Sequence, residues 1–244
     1  MRKIVIATSL SVIALLTACS KTDPILPGQR ESIFAGSALT VVGKEIPDLP
    51  ENISDEKLVD CKYTQDSSNT VWNGDKKIFS GFPTSNFVKN EQKPVCDGEF
   101  VYAGLTTGEL VKVNTKTRDI AWISDIYRES NMLGGASVLD IVAPIAVKND
   151  GVYVGGLGDA FCKINKTSGH KIWCLNIGVD VPFIFVDKFV FVVGTNNMLY
   201  AIKTDNGEIY WGKSVQDREK PIYKDKTVIV SDDVFDASTG KQID

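Results

Sequence analysis

The stretch GVYVGGLGDAFCKINKTSGHKIW, residues 151–173, recurs along this chain. Residues 100–122 read FVYAGLTTGELVKVNTKTRDIAW, and residues 189–211 read FVFVVGTNNMLYAIKTDNGEIYW. All three copies are 23 residues long and align without a gap. A shorter fourth copy, TVIVSDDVFDASTGKQID, occupies residues 227–244, and Asp244 stands where the other copies have tryptophan. An internal repeat of this kind indicates a repeat architecture and must be interpreted before any single residue.

Each copy has the pattern of three successive antiparallel strands. Two alternating apolar runs are joined by a turn with Gly or Asn, and a polar turn then precedes the tryptophan. Alternation with a period of two is typical of half-buried strands. A proline lies six or seven residues before each copy and heads one more short strand, where a missing N–H is tolerated; these are Pro94, Pro144, Pro182 and Pro221. One unit therefore predicts about four strands. The last two proline spacings are 38 and 39 residues, which is typical of a β-propeller blade.

The polar turns have a defined chemistry. In NKTSG (165–169) and DASTG (236–240), an Asn or Asp comes first and a Gly four residues later. The first side chain accepts backbone hydrogen bonds, and glycine supplies the positive φ of a type I turn with a bulge. KTDNG (203–207) keeps the glycine, whereas NTKTR (114–118) has Arg118 there, which predicts a cost of about 1 kcal/mol or a changed turn. We expect structural roles for Gly169, Gly207 and Gly240, and for Trp122, Trp173 and Trp211 as plugs between blades.

These residues carry a resemblance to a known family. The spacing from Asn165 to Trp173 and from Lys203 to Trp211 resembles the PQQ-type propeller repeat, while the copy with Arg118 departs from it. That repeat occurs in quinoprotein dehydrogenases and in BamB-type outer-membrane-assembly lipoproteins. The resemblance extends from Pro94 to the end of the chain. It implies an all-β fold, a β-propeller with four-stranded antiparallel blades.

The number of blades is the unusual feature of this resemblance. The repeats run over residues 94–143, 144–181, 182–220 and 221–244, which makes about four blades, whereas rings of this family have eight. Three alternatives stay open. Four blades close into a small ring, or an open half ring buries its end faces in a homodimer or a second half-propeller chain, or the gene is cut short.

The N-terminal residues 1–19 predict a lipoprotein signal peptide. Arg2 and Lys3 are followed by 13 mostly apolar residues, too few to span a bilayer. The run ends in Leu-Thr-Ala-Cys, which resembles a bacterial lipobox with Cys19 as the acylated residue (palmitate). An ordinary secretory signal is the alternative. Ser20 after the cysteine implies sorting to the outer membrane, and more than one acyl chain gives stable anchoring there, on the periplasmic face.

The next residues, 20–57, predict a flexible tether, since four of the nine prolines fall there without sustained periodicity. The repeat domain is expected over residues 58–244. Within its irregular beginning, residues 71–79 are the candidate for a strand that completes the last blade. A loop that packs its aromatic residues on the first blade is the alternative.

Charge and cysteine content indicate an exported globular domain. Without Arg2 and Lys3, 25 basic residues face 31 acidic ones, which gives a net charge of −6 and argues against nucleic-acid binding. Four cysteines follow Cys19, an even number in an oxidising compartment. Cys162 and Cys174 flank the turn 165–169 symmetrically, which predicts a cross-strand disulfide. Cys61–Cys96 then follows by elimination, and buried free thiols are the alternative.

No stretch of the sequence predicts a catalytic, metal or cofactor site. His170 is the only histidine and directly follows a turn glycine, so neither a catalytic triad nor a histidine metal site has a basis. No CxxC or CxH spacing occurs. The glycine-containing runs 104–108, 155–158 and 194–197 are followed by strands rather than helices, which predicts hairpin turns instead of phosphate-binding loops. The adjacent cysteine pair that contacts the quinone in many quinoproteins is absent from the sequence.

One insertion, residues 123–142, interrupts the repeats. Loops on a rigid scaffold often carry recognition. Its apolar residues could form an exposed patch for a partner, or the insertion could be a long connection folded over its own blade; the residues are Ile126, Tyr127, Met132 and Leu133.

The resemblance implies a non-catalytic, lipid-anchored scaffold that assists the assembly of outer-membrane β-barrel proteins. Its expected partner is the β-barrel assembly machinery, with the membrane reached through the lipid anchor and no cofactor bound. Two alternatives from other classes stay open. One is a remnant PQQ-dependent dehydrogenase domain, and the other is an envelope interaction module with a different partner.

Overall fold

Strands and turns make up the regular structure of the described residues. The computed structural model describes residues 39–53, 61–84, 93–127 and 139–243, all within one compact unit, Ser37–Asp244. No helix occurs in these ranges, and therefore none that is long and apolar enough to cross a membrane. The fold class is all-β, as the repeat predicts.

The strands form five antiparallel sheets that follow one another along the chain. The first sheet contains β1 (Thr64–Gln65), β2 (Thr70–Asn73) and β3 (Lys76–Ser80). The second contains β4 (Val95–Asp97), β5 (Phe100–Gly104), β6 (Glu109–Asn114) and β7 (Ile120–Asp125). The third contains β8 (Ala146–Lys148), β9 (Gly151–Gly156), β10 (Ala160–Ile164) and β11 (Lys171–Leu175). The fourth contains β12 (Ile184–Val186), β13 (Phe189–Val193), β14 (Met198–Lys203) and β15 (Ile209–Ser214), and the fifth β16 (Ile222–Lys224), β17 (Thr227–Val230) and β18 (Asp233–Asp236).

Each sheet is a meander in which sequential strands are neighbours, as in a propeller blade. The second to fifth sheets each lie inside one of the four repeats. The fifth sheet has three strands, and beyond β18 a single bridge joins Phe235 to Gln242. The fold is that of a partial β-propeller.

Residues 71–79 correct one expectation. They do not complete the last blade and are not a loop; they supply most of β2 and β3 in a sheet of their own. The residues between strands β2 and β3 form a tight turn with Gly74 at φ +57°, which suits a two-residue hairpin. The described residues therefore form five sheets rather than four. The first was missed because its strands are short and its sequence lacks the repeat.

The polar turns adopt the conformation that their sequences predict. In the third sheet, Asn165 Oδ1 accepts hydrogen bonds from the backbone N–H groups of Thr167 and Ser168 at 3.0 and 2.9 Å. Gly169 follows at φ +74°, and a bulge lies beside the turn. Arg118 occupies the same position in the second sheet at φ +67°, so the turn is unchanged and the strain falls on a residue with a side chain.

The hydrophobic core is divided into four clusters, each between two consecutive sheets. This division follows from the alternation along the strands, since every internal sheet packs one face forward and the other face backward. A structure of this kind gains its stability from contacts between neighbouring units.

The tryptophans form the central contact between sheets. Trp122 of β7 lies on Gly169 in the turn of the third sheet, and its Nε1 donates to the Lys166 carbonyl at 3.2 Å. Trp173 lies on Gly207 and donates to the Thr204 carbonyl at 3.0 Å. Trp211 repeats the arrangement with Gly240 and the Ala237 carbonyl at 3.1 Å. Each of these three tryptophans is buried, and truncating such a side chain typically costs about 3–5 kcal/mol.

Residues 39–53 correct the predicted tether. They run along the outer strand of the fourth sheet, where the Val42 N–H donates to the Ile209 carbonyl at 2.9 Å and Val41 forms a parallel bridge with Ile209. Ile46 and Leu49 are buried in the core between the fourth and fifth sheets. The expected flexible tether over residues 20–57 therefore does not hold for this segment. The sequence did not predict this packing, because Ile46 and Leu49 lie among prolines without an alternating or helical pattern.

The stacking of tryptophan on glycine makes a testable prediction for Gly207→Ala. A Cβ at this position would lie 2.8 Å from Trp173 Cδ2, and the backbone φ is +73°. The matched control is Gly74→Ala, where φ is +57° and nothing lies within 4 Å of the added Cβ. Both variants carry the left-handed strain of about 1–2 kcal/mol, and Gly207→Ala should lose about 1–3 kcal/mol more through overpacking.

Urea unfolding followed by tryptophan fluorescence measures both losses. Equal losses of unfolding free energy in the two variants would show that the packing of Trp173 does not require a glycine in the turn that it contacts.

Candidate functional site

Two disulfides hold the blades, and both match the predicted pairing. Cys162 and Cys174 are direct cross-strand partners in β10 and β11, with Cα atoms 4.1 Å apart. Cys61 and Cys96 join the segment before the first sheet to β4 of the second, with Cα atoms 5.2 Å apart. The second link closes a loop of 35 residues, and a crosslink of that span typically stabilises by about 3–4 kcal/mol.

Two buried lysines share the tryptophan contacts, and the sequence did not single them out. Lys112 is the cross-strand partner of Trp122, and its Nζ donates to the same Lys166 carbonyl at 2.8 Å. Lys163 is the partner of Trp173 and donates to the same Thr204 carbonyl at 3.0 Å. Both are the thirteenth residue of their copies, which is the signal that could have found them. In the next copy Ala201 takes this position.

Different neighbours offset the loss of hydration of the two buried ammonium groups. Lys112 Nζ lies 4.1 Å from the centre of the Phe100 ring, and burial lowers the pKa of this ammonium. Lys163 Nζ forms an ion pair with Asp150 at 2.6 Å. Burial raises the pKa of the Asp150 carboxyl, but hydrogen bonds from Lys163 and Tyr153 outweigh it, so that the pKa lies below its ordinary value. These charges therefore belong to the packing of one sheet on the next.

The described ends of the insertion do not place Ile126 or Tyr127 in an exposed patch, which was one of two alternatives for this segment. Ile126 and Tyr127 are both buried, and Met132 and Leu133 lie outside the described residues. The Tyr127 ring fills a space above Gly156 and Gly158 where a Cβ would clash, and its hydroxyl accepts a hydrogen bond from the Gly158 N–H at 3.2 Å. Burial raises the pKa of this hydroxyl. The sequence showed that the loop has apolar residues. It did not show that glycines of the next sheet leave a space that the Tyr127 ring fills.

The outer strands of the second and third sheets are open edges. Within the described chain, neither β7 nor β11 has a strand paired to its outer side, whereas β15 carries residues 41–44. Exposed isoleucines mark these edges, with relative exposures of 49% at Ile120, 46% at Ile123 and 45% at Ile172. Unpaired strand edges with apolar side chains are templates for another extended chain.

The remaining predicted positions are distributed as follows. Cys19 lies outside the described residues, and His170 is exposed next to its turn. The runs 104–108, 155–158 and 194–197 lie at hairpin turns between paired strands. Among the side chains that the structure describes, no three His, Cys, Asp or Glu residues come together as metal ligands would.

The Lys163–Asp150 pair predicts a pH dependence of stability. The lowered pKa means that this carboxylate stabilises the fold fully above its unfolded pKa of about 3.9 and loses that effect as the pH falls through the folded-state value. Asp150→Asn should therefore be less stable than the parent chain at pH 7. The difference should shrink below about pH 4.

Urea unfolding at several pH values tests this, with Asp232→Asn as the control at an exposed carboxyl in the turn between β17 and β18. A difference between Asp150→Asn and the parent that is the same at pH 7 and at pH 3 would contradict the role of the pair.

The chain is similar to solved structures at low sequence identity. BamB from Moraxella catarrhalis is 16% identical, with a TM-score of 0.50, over 75% of this chain and 62% of that chain. The quinohemoprotein alcohol dehydrogenase from Comamonas testosteroni is 13% identical over 64% of this chain and 34% of that chain, with a TM-score of 0.47. The chain thus spans less than two thirds of the length of either structure. No curated protein sequence gives a significant match.

A family model matches most of the sequence. The model described as outer membrane protein assembly factor BamB matches residues 34–213 and, a second time, residues 162–243. The matched residues include the segment that pairs with β15, all five sheets and every tryptophan that docks on a neighbouring turn. The chain belongs to the BamB-like family of PQQ-type β-propeller repeat proteins.

Proposed function

We propose that this protein is a non-catalytic, lipid-anchored scaffold that assists the assembly of β-barrel proteins in the bacterial outer membrane. The match to the BamB family model over residues 34–243 is the observation that carries this proposal. The lipobox-like sequence at Cys19 supports an anchor, and the two disulfides suit an oxidising space such as the periplasm. The net charge of −6 after removal of the signal agrees with a protein partner rather than a nucleic acid.

The open edges of β7 and β11 supply a binding mode. A β-strand of a partner can add to such an edge through backbone hydrogen bonds, while the exposed isoleucines contact its alternate side chains. Within this fold, residues 41–44 already lie on the edge of β15 in this way. Partners in barrel assembly are rich in strands with one apolar face, which is the chemistry that these edges accept.

A cross-linking experiment in cells tests the partner. A photoreactive amino acid at Ile172 or Ile123 should link the protein to the core component of the β-barrel assembly machinery, because these side chains lie beside open strand edges. The matched control is the same group at Lys188, an exposed position in the β12–β13 turn.

Captured proteins are identified after purification under denaturing conditions. Absence of any barrel-assembly component from all positions would contradict the scaffold. Dye-linked oxidation of alcohols or sugars after addition of PQQ and Ca²⁺ would instead favour the dehydrogenase alternative.

The anchor makes a separate prediction. Cys19→Ala should move the protein from the membrane fraction to the soluble periplasmic fraction, because acylation at this cysteine would supply the membrane attachment. Fractionation after spheroplasting measures the change, and Ser20→Thr serves as the control that leaves the cysteine in place. Unchanged membrane association of Cys19→Ala would remove the lipid anchor from the proposal.

A further inference from the structure

A row of aliphatic side chains crosses the fifth sheet. Ile222 of β16 is the cross-strand partner of Ile229 in β17, which is in turn the partner of Val234 in β18. Cross-strand partners in register lie on the same face of a sheet. Ile222 is 58% exposed, and Ile229 and Val234 are half-buried.

The same row exists in the three preceding sheets, and there the next sheet covers it. The equivalent positions by register are Val95, Tyr102, Lys112 and Trp122 in the second sheet; Ala146, Tyr153, Lys163 and Trp173 in the third; and Ile184, Phe191, Ala201 and Trp211 in the fourth. In each of these rows the two central side chains and the tryptophan are buried. The row in the fifth sheet therefore occupies the face that this fold uses to pack against another sheet.

The opposite face of the fifth sheet is already in use. Tyr223, Val228 and Phe235 form its row, and all three are buried in the core shared with the fourth sheet. Within the described chain no further sheet follows the fifth. The row of Ile222, Ile229 and Val234 thus faces away from the fourth sheet.

Charges beside this row are arranged in a self-complementary way. The next residues on the same face are Lys224, Thr227 and Asp236, again in cross-strand register. Consider a two-fold axis that lies above this face and runs parallel to the central strand β17. It brings the β16 side of one copy over the β18 side of the other. Lys224 of each copy would then lie against Asp236 of the other copy. The aliphatic row of one copy would lie on the aliphatic row of the other.

The free face of the first sheet is a poorer match. Its cross-strand row is Thr64, Trp72 and Lys77, and the two outer members are exposed and polar or charged. A head-to-tail contact between the fifth sheet of one copy and the first sheet of another would set Lys77 near aliphatic side chains, which costs desolvation energy.

We propose that the face of the fifth sheet formed by Ile222, Ile229 and Val234, with Lys224 and Asp236 beside them, docks on the same face of a second copy of this chain about a two-fold axis along β17. The contact is independent of the proposed scaffold role and of the edges of β7 and β11.

Sedimentation velocity of the full chain over a range of concentrations tests the assembly. A monomer–dimer equilibrium is expected, and Ile222→Glu should raise its dissociation constant at least about tenfold, because a charge would enter the aliphatic contact. Ile172→Glu is the matched control, an exposed isoleucine on β11 that should leave the dimer unchanged. A monomer at every concentration, or open-ended oligomers, would overturn the proposal.

Cysteine cross-linking tests the symmetry without depending on a destabilising charge. The axis places residue 229 of one copy opposite residue 229 of the other, so Ile229→Cys should form a covalent dimer on mild oxidation. Ile172→Cys and the parent chain give the background, including any reaction of Cys19. Cross-linking of Ile229→Cys at the level of these controls, together with a dimer that Ile222→Glu leaves intact, would overturn the two-fold contact.

Discussion

The docking of a tryptophan on the bare turn of the following sheet is the contact on which the fold depends. It satisfies three requirements at once. The indole buries its ring, its N–H finds a carbonyl, and the turn glycine provides both a positive φ and the space for the ring. Because the tryptophan and its receptor lie far apart along the chain, 34 residues for Trp173 and Gly207, one sheet sets the position of the next. The conformation of one short turn thereby determines how two consecutive sheets pack.

The first copy shows the same rule by its exception. By register, Phe79 of the first sheet takes the place that tryptophan has in the later sheets. The turn of the next sheet correspondingly has Arg118 where the others have glycine. Without an indole to receive, the turn has lost the steric reason for glycine and keeps only the conformational one, which an arginine meets with some strain.

What could be predicted from the sequence follows from this division between local and distant causes. The four repeats, the turn conformations and the cross-strand pairing of Cys162 with Cys174 depend on alternation and spacing, and each was predicted from residues close in sequence. Burial of Tyr127 could not be predicted in this way, since it depends on glycines some 30 residues later. The same holds for residues 39–53, whose contacts with β15 and the fifth sheet join parts of the chain more than 160 residues apart. The lysines at positions 112 and 163 were visible as a repeat, but their role appeared only with the carbonyls that they reach.

Each contact between consecutive sheets is reinforced, besides its apolar core, by a disulfide, a buried lysine or the segment 39–53. The disulfide Cys61–Cys96 joins the segment just before the first sheet to β4 of the second. Lys112 and Lys163 reinforce the next two contacts, and residues 39–53 bind across the fourth and fifth sheets. In a linear stack, cooperativity is only as strong as the weakest junction, because sheets on either side of a broken junction can unfold separately. With one such link at each contact, no pair of consecutive sheets is held by its apolar core alone. The blades are then expected to open as a single unit in hydrogen exchange, rather than fraying inward from one end.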